Sequence, residues 1–286
     1  MFVVLAELYH KQEFLESLKR VPNMKWKAGI PKRFEGMSAV QVKSLLSKNM
    51  QQLPAPTVKL TGEVPEFWNW NHEMPECAGA KTVRDQADCG SCWAFSAVNQ
   101  LADNRCIQKL DKKRIQLSEQ YVVSCDPINT GCDGGYIKVV QHYLINTGTV
   151  TDKCTPYTSG LSGRDGKCPQ KCKDDSELEF IKATKTENVC ADEESIKVAI
   201  TKGLVQTGFS VFSDFMYYES GIYEHTSGSL EGGHAVMFVG YGEENGTPYW
   251  TVKNSWGNSF GENGFFRIIR GQNECEIEDA CFLLTP

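Results

Sequence analysis

The chain has 286 residues, 41% hydrophobic and 23% charged, with a formal net charge of −6. That length supports one large domain or two small ones. No run of 18 or more apolar residues occurs, so no membrane span is expected, and Phe2-Val3-Val4-Leu5-Ala6 is too short for the apolar core of a signal peptide. Twelve cysteines are unusual for a reduced cytosolic enzyme and point to an oxidising compartment with a disulfide framework.

Charge is unevenly spread: residues 1–60 hold ten Lys or Arg and four acids, net +6, which leaves −12 on the remainder. A basic leader docked on an acidic body has this pattern, although lysines that merely solvate a helix read the same way. Residues 1–20 read as an amphipathic helix carrying Leu5, Leu8, Phe14, Leu15 and Leu18, ended by Pro22. A second helix is expected over 38–50, capped by Ser38, with Val42, Leu45 and Leu46 on one face. Leu53-Pro54-Ala55-Pro56 breaks regular structure and reads as a linker.

The body begins near Val64 with Trp68-Asn69-Trp70 and Cys77. A helix over about 92–108 turns Phe95, Val98, Leu101 and Ala102 inward, and 117–123 suggests a short helix capped by Ser118. After about Glu179 the texture becomes strand-like at 208–212, 235–241, 249–253 and 265–269, with Glu244-Asn245-Gly246 joining two of the runs. Helices therefore precede strands, an α+β order, with no internal repeat and no low-complexity tract.

The most informative stretch is Gln86-Ala87-Asp88-Cys89-Gly90-Ser91-Cys92-Trp93-Ala94-Phe95-Ser96. Cys92 opens an expected helix, where unpaired N–H groups and the positive dipole end favour the thiolate, which is the nucleophilic form. Gln86 offers a side-chain amide to a developing oxyanion. Downstream, Gly232-Gly233-His234-Ala235-Val236 and Asn254-Ser255-Trp256-Gly257 supply a base and an orienting amide. Singly, each residue has an ordinary reading, as half of a disulfide or a satisfied core histidine; the four in this order carry the argument jointly.

Cys89-Gly-Ser-Cys92-Trp93, with that His and Asn far downstream, resembles the papain-like cysteine peptidases. Within them the chain is most similar to the cathepsin B-like group, through Trp26-Lys27-Ala28-Gly29, Cys132-Asp133-Gly134-Gly135-Tyr136, Ser213-Asp214-Phe215, Gly221-Ile222-Tyr223, Gly246-Thr247-Pro248-Tyr249-Trp250 and Gly264-Phe265-Phe266-Arg267-Ile268. The resemblance implies a two-domain papain-like fold, a helical left domain and a β-barrel-like right domain with the cleft between them. Residues 1–62 would be a helical inhibitory propeptide that lies through the cleft in reverse of a substrate. Residues 63–286 would be the peptidase, mainly helical over about 63–178 and mainly β over about 179–286.

It also implies the site. Cys92 would be the nucleophile, His234 the base and acid, Asn254 the residue that orients His234, and Gln86 an oxyanion donor, with Trp256 shielding the His234–Asn254 bond. Gly134 and Gly135 would hold substrate backbone, and Ile137, Gly208, Ala235 and Ala280 would surround the S2 pocket, which takes the second side chain before the scissile bond. The implied disulfides are Cys77–Cys106, Cys89–Cys132, Cys125–Cys168, Cys154–Cys172 and Cys190–Cys281, with Cys275 free. Ala280 stands where cathepsin B has an acid, so an apolar S2 preference is expected unless Glu278 or Asp279 takes its place. Residues 155–167 contain no histidine, and one disulfide of cathepsin B's occluding loop has no counterpart. The cleft should therefore be open and the enzyme an endopeptidase rather than a dipeptidyl carboxypeptidase.

The expected partners are protein and peptide substrates, the chain's own propeptide and cystatin-type inhibitors. No nucleic acid, metal or organic cofactor is expected, and the protein should be a monomer of the secretory pathway, in a lysosome-like vesicle or outside the cell. Two rivals stand beside this reading: a thiol–disulfide oxidoreductase using Cys89 and Cys92, and an inactive family member that binds other proteins. Zinc binding lacks a second tight Cys/His pair, and the Asn245-Gly246-Thr247 sequon is weakened by Pro248.

Overall fold

The computed structural model describes residues 7–47 and 53–286. Helices α1 (Gln12–Leu18) and α2 (Ala39–Lys43) flank strand β1 (Trp26–Ala28) in the leader. Next come β2 (Trp68–Asn69), α3 (Trp70–Glu73), α4 (Pro75–Ala78), α5 (Cys92–Ile107), α6 (Glu119–Cys125), α7 (Ile137–Asn146) and α8 (Ser159–Ser162). The second half holds β3 (Lys185–Asn188), α9 (Glu193–Ile200), β4 (Val205–Phe212), β5 (Tyr218–Tyr223), β6 (Leu230–Glu244), β7 (Thr247–Lys253), β8 (Phe265–Ile269) and β9 (Phe282–Thr285). The helices-then-strands order is thus an α+β, two-part body.

Strands are paired in the order β1-β5-β8-β7-β6-β4-β9-β3, with β2 added to β6. The half expected to be barrel-like therefore carries an open sheet, ending in β1 and β3. Its centre, β4-β6-β7-β8, is antiparallel. β6 and β7 join through Asn245 and Gly246, both at positive φ (51° and 74°), the conformation a tight hairpin requires.

α5 is the hub, and it has no single inward face. Its apolar residues and also Asn99, Gln100, Asp103 and Asn104 are buried. The polar ones reach across to the β half: Gln100 Nε2 donates to the carbonyls of Leu204 (2.8 Å) and Phe282 (2.6 Å), and Asn104 Nδ2 to that of Leu284 (2.9 Å). Asp103 holds Lys253 Nζ at 2.6 Å and also pairs with Arg114. Buried polar groups are tolerated here because each is hydrogen-bonded.

The leader departs most from expectation. The first helix covers only Gln12–Leu18, because Leu8 bridges Ser38 and the Tyr9 amide donates to the Met37 carbonyl, which draws the preceding segment into extended pairing. Leu5 lies outside the described residues. The second helix has the Ser38 cap, closed as a capping box with Gln41, but stops at Lys43. Leu45–Ser47 instead enter the cleft, and the remainder of the expected helix, 48–50, lies outside the described residues. Sequence reading also missed β1, which adds an edge strand to β5; Gly221 (φ +95°) permits that approach, since a Cβ there would lie 2.6 Å from the Lys25 carbonyl oxygen. Among the described residues, the leader–body ion pairs Lys25–Glu224, Lys27–Glu219, Arg33–Asp85, Lys43–Glu231 and Lys59–Asp192 give the charge asymmetry its geometry.

Candidate active site

Cys92 is the first residue of α5, fully buried, and is a free thiol. Its neighbour in the Cys-x-x-Cys pattern, Cys89, is bonded to Cys132, which leaves Cys92 no disulfide partner within the motif. The helix has no side-chain N-cap, and its first two amides, those of Cys92 and Trp93, reach the thiol. The backbone amide of Ala235, adjacent in chain to His234, also reaches the sulfur. Burial nevertheless dominates and pushes the Cys92 thiol up to about 11, against the pull of the Ala235, Trp93, Cys92 and Ser47 amides.

His234 lies on β6, fully buried, with Nε2 2.7 Å from Asn254 Oδ1. The Trp256 ring stacks on it at 4.4 Å between centroids, so that hydrogen bond is sealed from water. Nδ1 has no hydrogen-bond partner among the described residues. Burial drives the imidazole down to about 4, although Asn254 opposes the shift. Asn254 Oδ1 also accepts from the Ser255 amide (2.7 Å).

Ser255 Oγ donates to Gln86 Oε1 at 2.7 Å, which commits the other end of that side chain to donation. Gln86 Nε2 donates to the Leu45 carbonyl of the leader and to the Cys89 carbonyl, both at 2.9 Å. Tyr157 Oη donates to the Gln86 carbonyl (2.8 Å) and lies 2.9 Å from Ser91 Oγ, which pins the loop from both ends. Gln86, Cys92, His234, Asn254 and Trp256 are thus brought to one place. Ser255 and Tyr157 were missed. Ser255 sits inside the Asn254-Ser255-Trp256 motif, which was a usable signal; Tyr157 had none.

The leader threads this site. Ser47 exchanges both backbone hydrogen bonds with Gly233 (2.9 and 3.2 Å), next to His234. Gly134 (φ +123°) faces it so closely that a Cβ would sit 2.2 Å from Ser47 Oγ. Gly135 fits under the Trp93 ring, where a Cβ would lie 2.6 Å from the ring, and Trp93 Nε1 donates to the Gly131 carbonyl (2.9 Å). Phe34 of the leader is wholly buried, edge-on to Trp256 (5.4 Å).

Ile137, Ala235 and Ala280 belong with Cys92 to one apolar cluster, against which Ala55 of the leader packs, and Gly208 pairs with Ala235 across β4 and β6. Neither nearby acid enters it. Glu278 accepts from Trp250 Nε1 (2.7 Å) and the Gly271 amide (2.8 Å), and Asp279 from Asn273 Nδ2 (2.7 Å). Disulfides join Cys77–Cys106, Cys89–Cys132, Cys125–Cys168, Cys154–Cys172 and Cys190–Cys281, and Cys275 is free. Among the described residues, no group of three or more His, Cys, Asp and Glu side chains is placed to hold a metal ion, and no helix is long and apolar enough to cross a membrane.

Residues 64–285 match the family model described as papain family cysteine protease. A "Cathepsin B-like CP3" of Giardia intestinalis is 50% identical over 266 residues, covering 90% of this chain and 88% of its own. A "Cathepsin B-like cysteine proteinase" of Schistosoma japonicum is 33% identical, covering 93% and 88%. Among solved structures, "proCathepsin B S9 from Trypanosoma congolense" superposes with a TM-score of 0.87 at 28% identity, over 97% of this chain and 98% of that one.

Proposed function

This chain belongs to the papain family of cysteine proteases, in its cathepsin B-like branch, and we propose that it is an endopeptidase held inactive by residues 1–62. The observation that carries the reading is the Gln86 amide donating to a peptide carbonyl, that of Leu45, beside a free thiol at a helix N-terminus. That carbonyl stands in for the scissile carbonyl of a substrate. In the open enzyme the Cys92 thiolate attacks the carbonyl carbon, and Gln86 Nε2 and the Cys92 amide receive the negative charge on oxygen. The His234 imidazolium gives its proton to the leaving amine. Neutral His234 then takes a proton from the water that cleaves the thioester. Asn254 holds Nε2 and so leaves Nδ1 for the thiol.

Latency follows from burial. With the leader in place, burial raises the Cys92 thiol and lowers the His234 imidazole, and both shifts work against the charged pair. Departure of Leu45–Ser47 admits water and allows the two groups to exchange a proton. The short 155–167 segment supports endopeptidase action, and five disulfides support folding in the secretory pathway. Protein substrates, cystatin-type inhibitors and a monomeric state belong to the same reading. Mass spectrometry of a long peptide digested at pH 5 should show internal cuts; serial loss of C-terminal dipeptides would refute the endopeptidase reading.

Acid should release the leader. His10 is half-buried between Phe34 and Tyr217, with Nε2 2.9 Å from the Met216 carbonyl, and burial lowers its pKa from 6.5. The docked state thus binds fewer protons than the released one, so docking is strongest above pH 6.5 and weakens as pH falls. Asp192 is held below its usual 3.8 by Lys59. Glu231, raised by burial, is brought below 4.5 by Ser213 and Lys43. Both contacts are lost at still lower pH. Loss of about 60 residues, with the cut between about 60 and 64, should run faster at pH 4 than at pH 7. His10→Phe should move its onset to lower pH. Equal rates at the two pH values would sink the idea.

An S2 pocket walled by Ile137, Gly208, Ala235 and Ala280, with Glu278 and Asp279 engaged elsewhere, should prefer Leu or Val over Arg. Ala280→Glu should raise the kcat/KM ratio of Arg to Leu at P2 (the substrate residue that enters S2) by about tenfold, the worth of a buried charge-assisted hydrogen bond. A wild-type ratio already favouring Arg would refute the apolar preference.

A further inference from the structure

We propose that Glu276 determines specificity, placing at the mouth of the apolar pocket a carboxylate that takes the cationic end of a long basic side chain; this rests on the S2 reading given above. The placement comes from β4. Side chains alternate along a strand, so Gln206, Gly208 and Ser210 share one face. On that face Gln206 Nε2 reaches the Trp93 carbonyl (3.1 Å) and Ser96 Oγ (2.6 Å) of α5, Gly208 stands opposite Ala235, and Ser210 lies two residues further out. Ser210 Oγ donates to Glu276 Oε2 at 2.5 Å. Ser210 is also opposite Gly233, whose amide and carbonyl hold Ser47 of the leader. The carboxylate therefore hangs from β4, with β6 between that strand and the bound leader backbone, on the face of β4 that carries Gly208.

The other acids of this segment are engaged elsewhere. Glu274 accepts from the His225 amide (2.9 Å), Glu278 from Trp250 and Asp279 from Asn273. Glu276 alone turns to β4. It is exposed and forms no ion pair among the described residues. Its backbone has φ +65°, directly after Cys275 at +50°, a conformation that favours glycine and is costly for these side chains. Asn273 and Asp279 hold the turn, the Glu276 amide donating to the Asn273 carbonyl (3.0 Å) and the Asp279 amide to that of Glu276 (3.2 Å). An aliphatic stem thus fills the pocket while its charged tip meets Glu276 in water, and Arg gains more than Lys through its planar fork.

The test compares the leader-free enzyme, its concentration fixed by titration of Cys92, on fluorogenic peptides that differ only in Arg, Lys or Leu at P2. Glu276→Gln should lower the Arg/Leu ratio of kcat/KM about three- to fivefold, as befits a solvent-exposed pair, and 1 M salt should do the same to the wild type. Glu276→Gly suits the left-handed backbone and should lower the ratio equally, which guards against misfolding of the first variant. An unchanged ratio in both variants, or equal losses on Arg and Leu peptides, overturns the proposal. If Ala280→Glu raises the ratio while both Glu276 variants leave it flat, the pocket reading stands and Glu276 drops out. If none of the three moves it, the pocket reading fails as well.

Discussion

Cys92→Ala should remove peptide hydrolysis, with a loss on the order of a millionfold, the scale at which a covalent nucleophile matters in a hydrolase. In the proposed mechanism the thiol supplies the bond-forming atom, with no substitute at hand: the only other free cysteine among the described residues, Cys275, lies beside Glu274 and is pushed up by burial and by that carboxylate. The variant should fold, since alanine fills most of the space of a buried thiol and leaves the α5 backbone unchanged. At pH 5 wild type should gain activity as the leader is lost, whereas Cys92→Ala should stay full-length and inert. Hydrolysis that survives in the variant would remove Cys92 from the mechanism. The oxidoreductase rival predicts disulfide reduction that depends on Cys89 and Cys92 together. The Cys89–Cys132 bond opposes it, because Cys89 already has a partner.

The next largest effect belongs to Gln86→Ala, which should cut kcat by about 10²–10³ while KM changes little. The amide is worth most when the carbonyl oxygen carries negative charge, so its loss falls on the transition state more than on substrate binding. Its direction is set by Ser255, whose hydroxyl occupies Oε1 and leaves Nε2 to donate. Ser255→Ala should therefore reproduce part of the loss, about tenfold. The same amide holds the Leu45 carbonyl, so Gln86→Ala should also loosen the leader and hasten its removal by added active enzyme. Equal falls in 1/KM and kcat/KM with kcat intact would show a binding role instead.

Local chemistry was readable in advance where it depends on near neighbours along the chain. A thiol opening α5, the Ser118 and Ser38 caps, the Asn245-Gly246 hairpin and the run of β8 follow from residue types at short spacing. Burial around α5 did not, because the helix is surrounded, and the side-chain amides of Gln100 and Asn104 find their acceptors in carbonyls 100 or more residues away, those of Leu204, Phe282 and Leu284.

What the sequence by itself determined was the candidate set Gln86, Cys92, His234 and Asn254, the cysteine framework by resemblance and the basic leader on an acidic body. Tertiary structure alone decided that α2 stops at Lys43, where the chain turns so that the Leu45 carbonyl meets Gln86 and the Ser47 backbone meets Gly233. It decided that β1 joins the body's sheet, and that Glu278 and Asp279 turn from the pocket while Glu276 turns toward β4. The physical reason is the same in each case. Helix propensity and residue spacing are local and worth tenths of a kcal/mol per residue, whereas a groove lined with unpaired backbone donors and acceptors imposes its own geometry on whatever chain enters it.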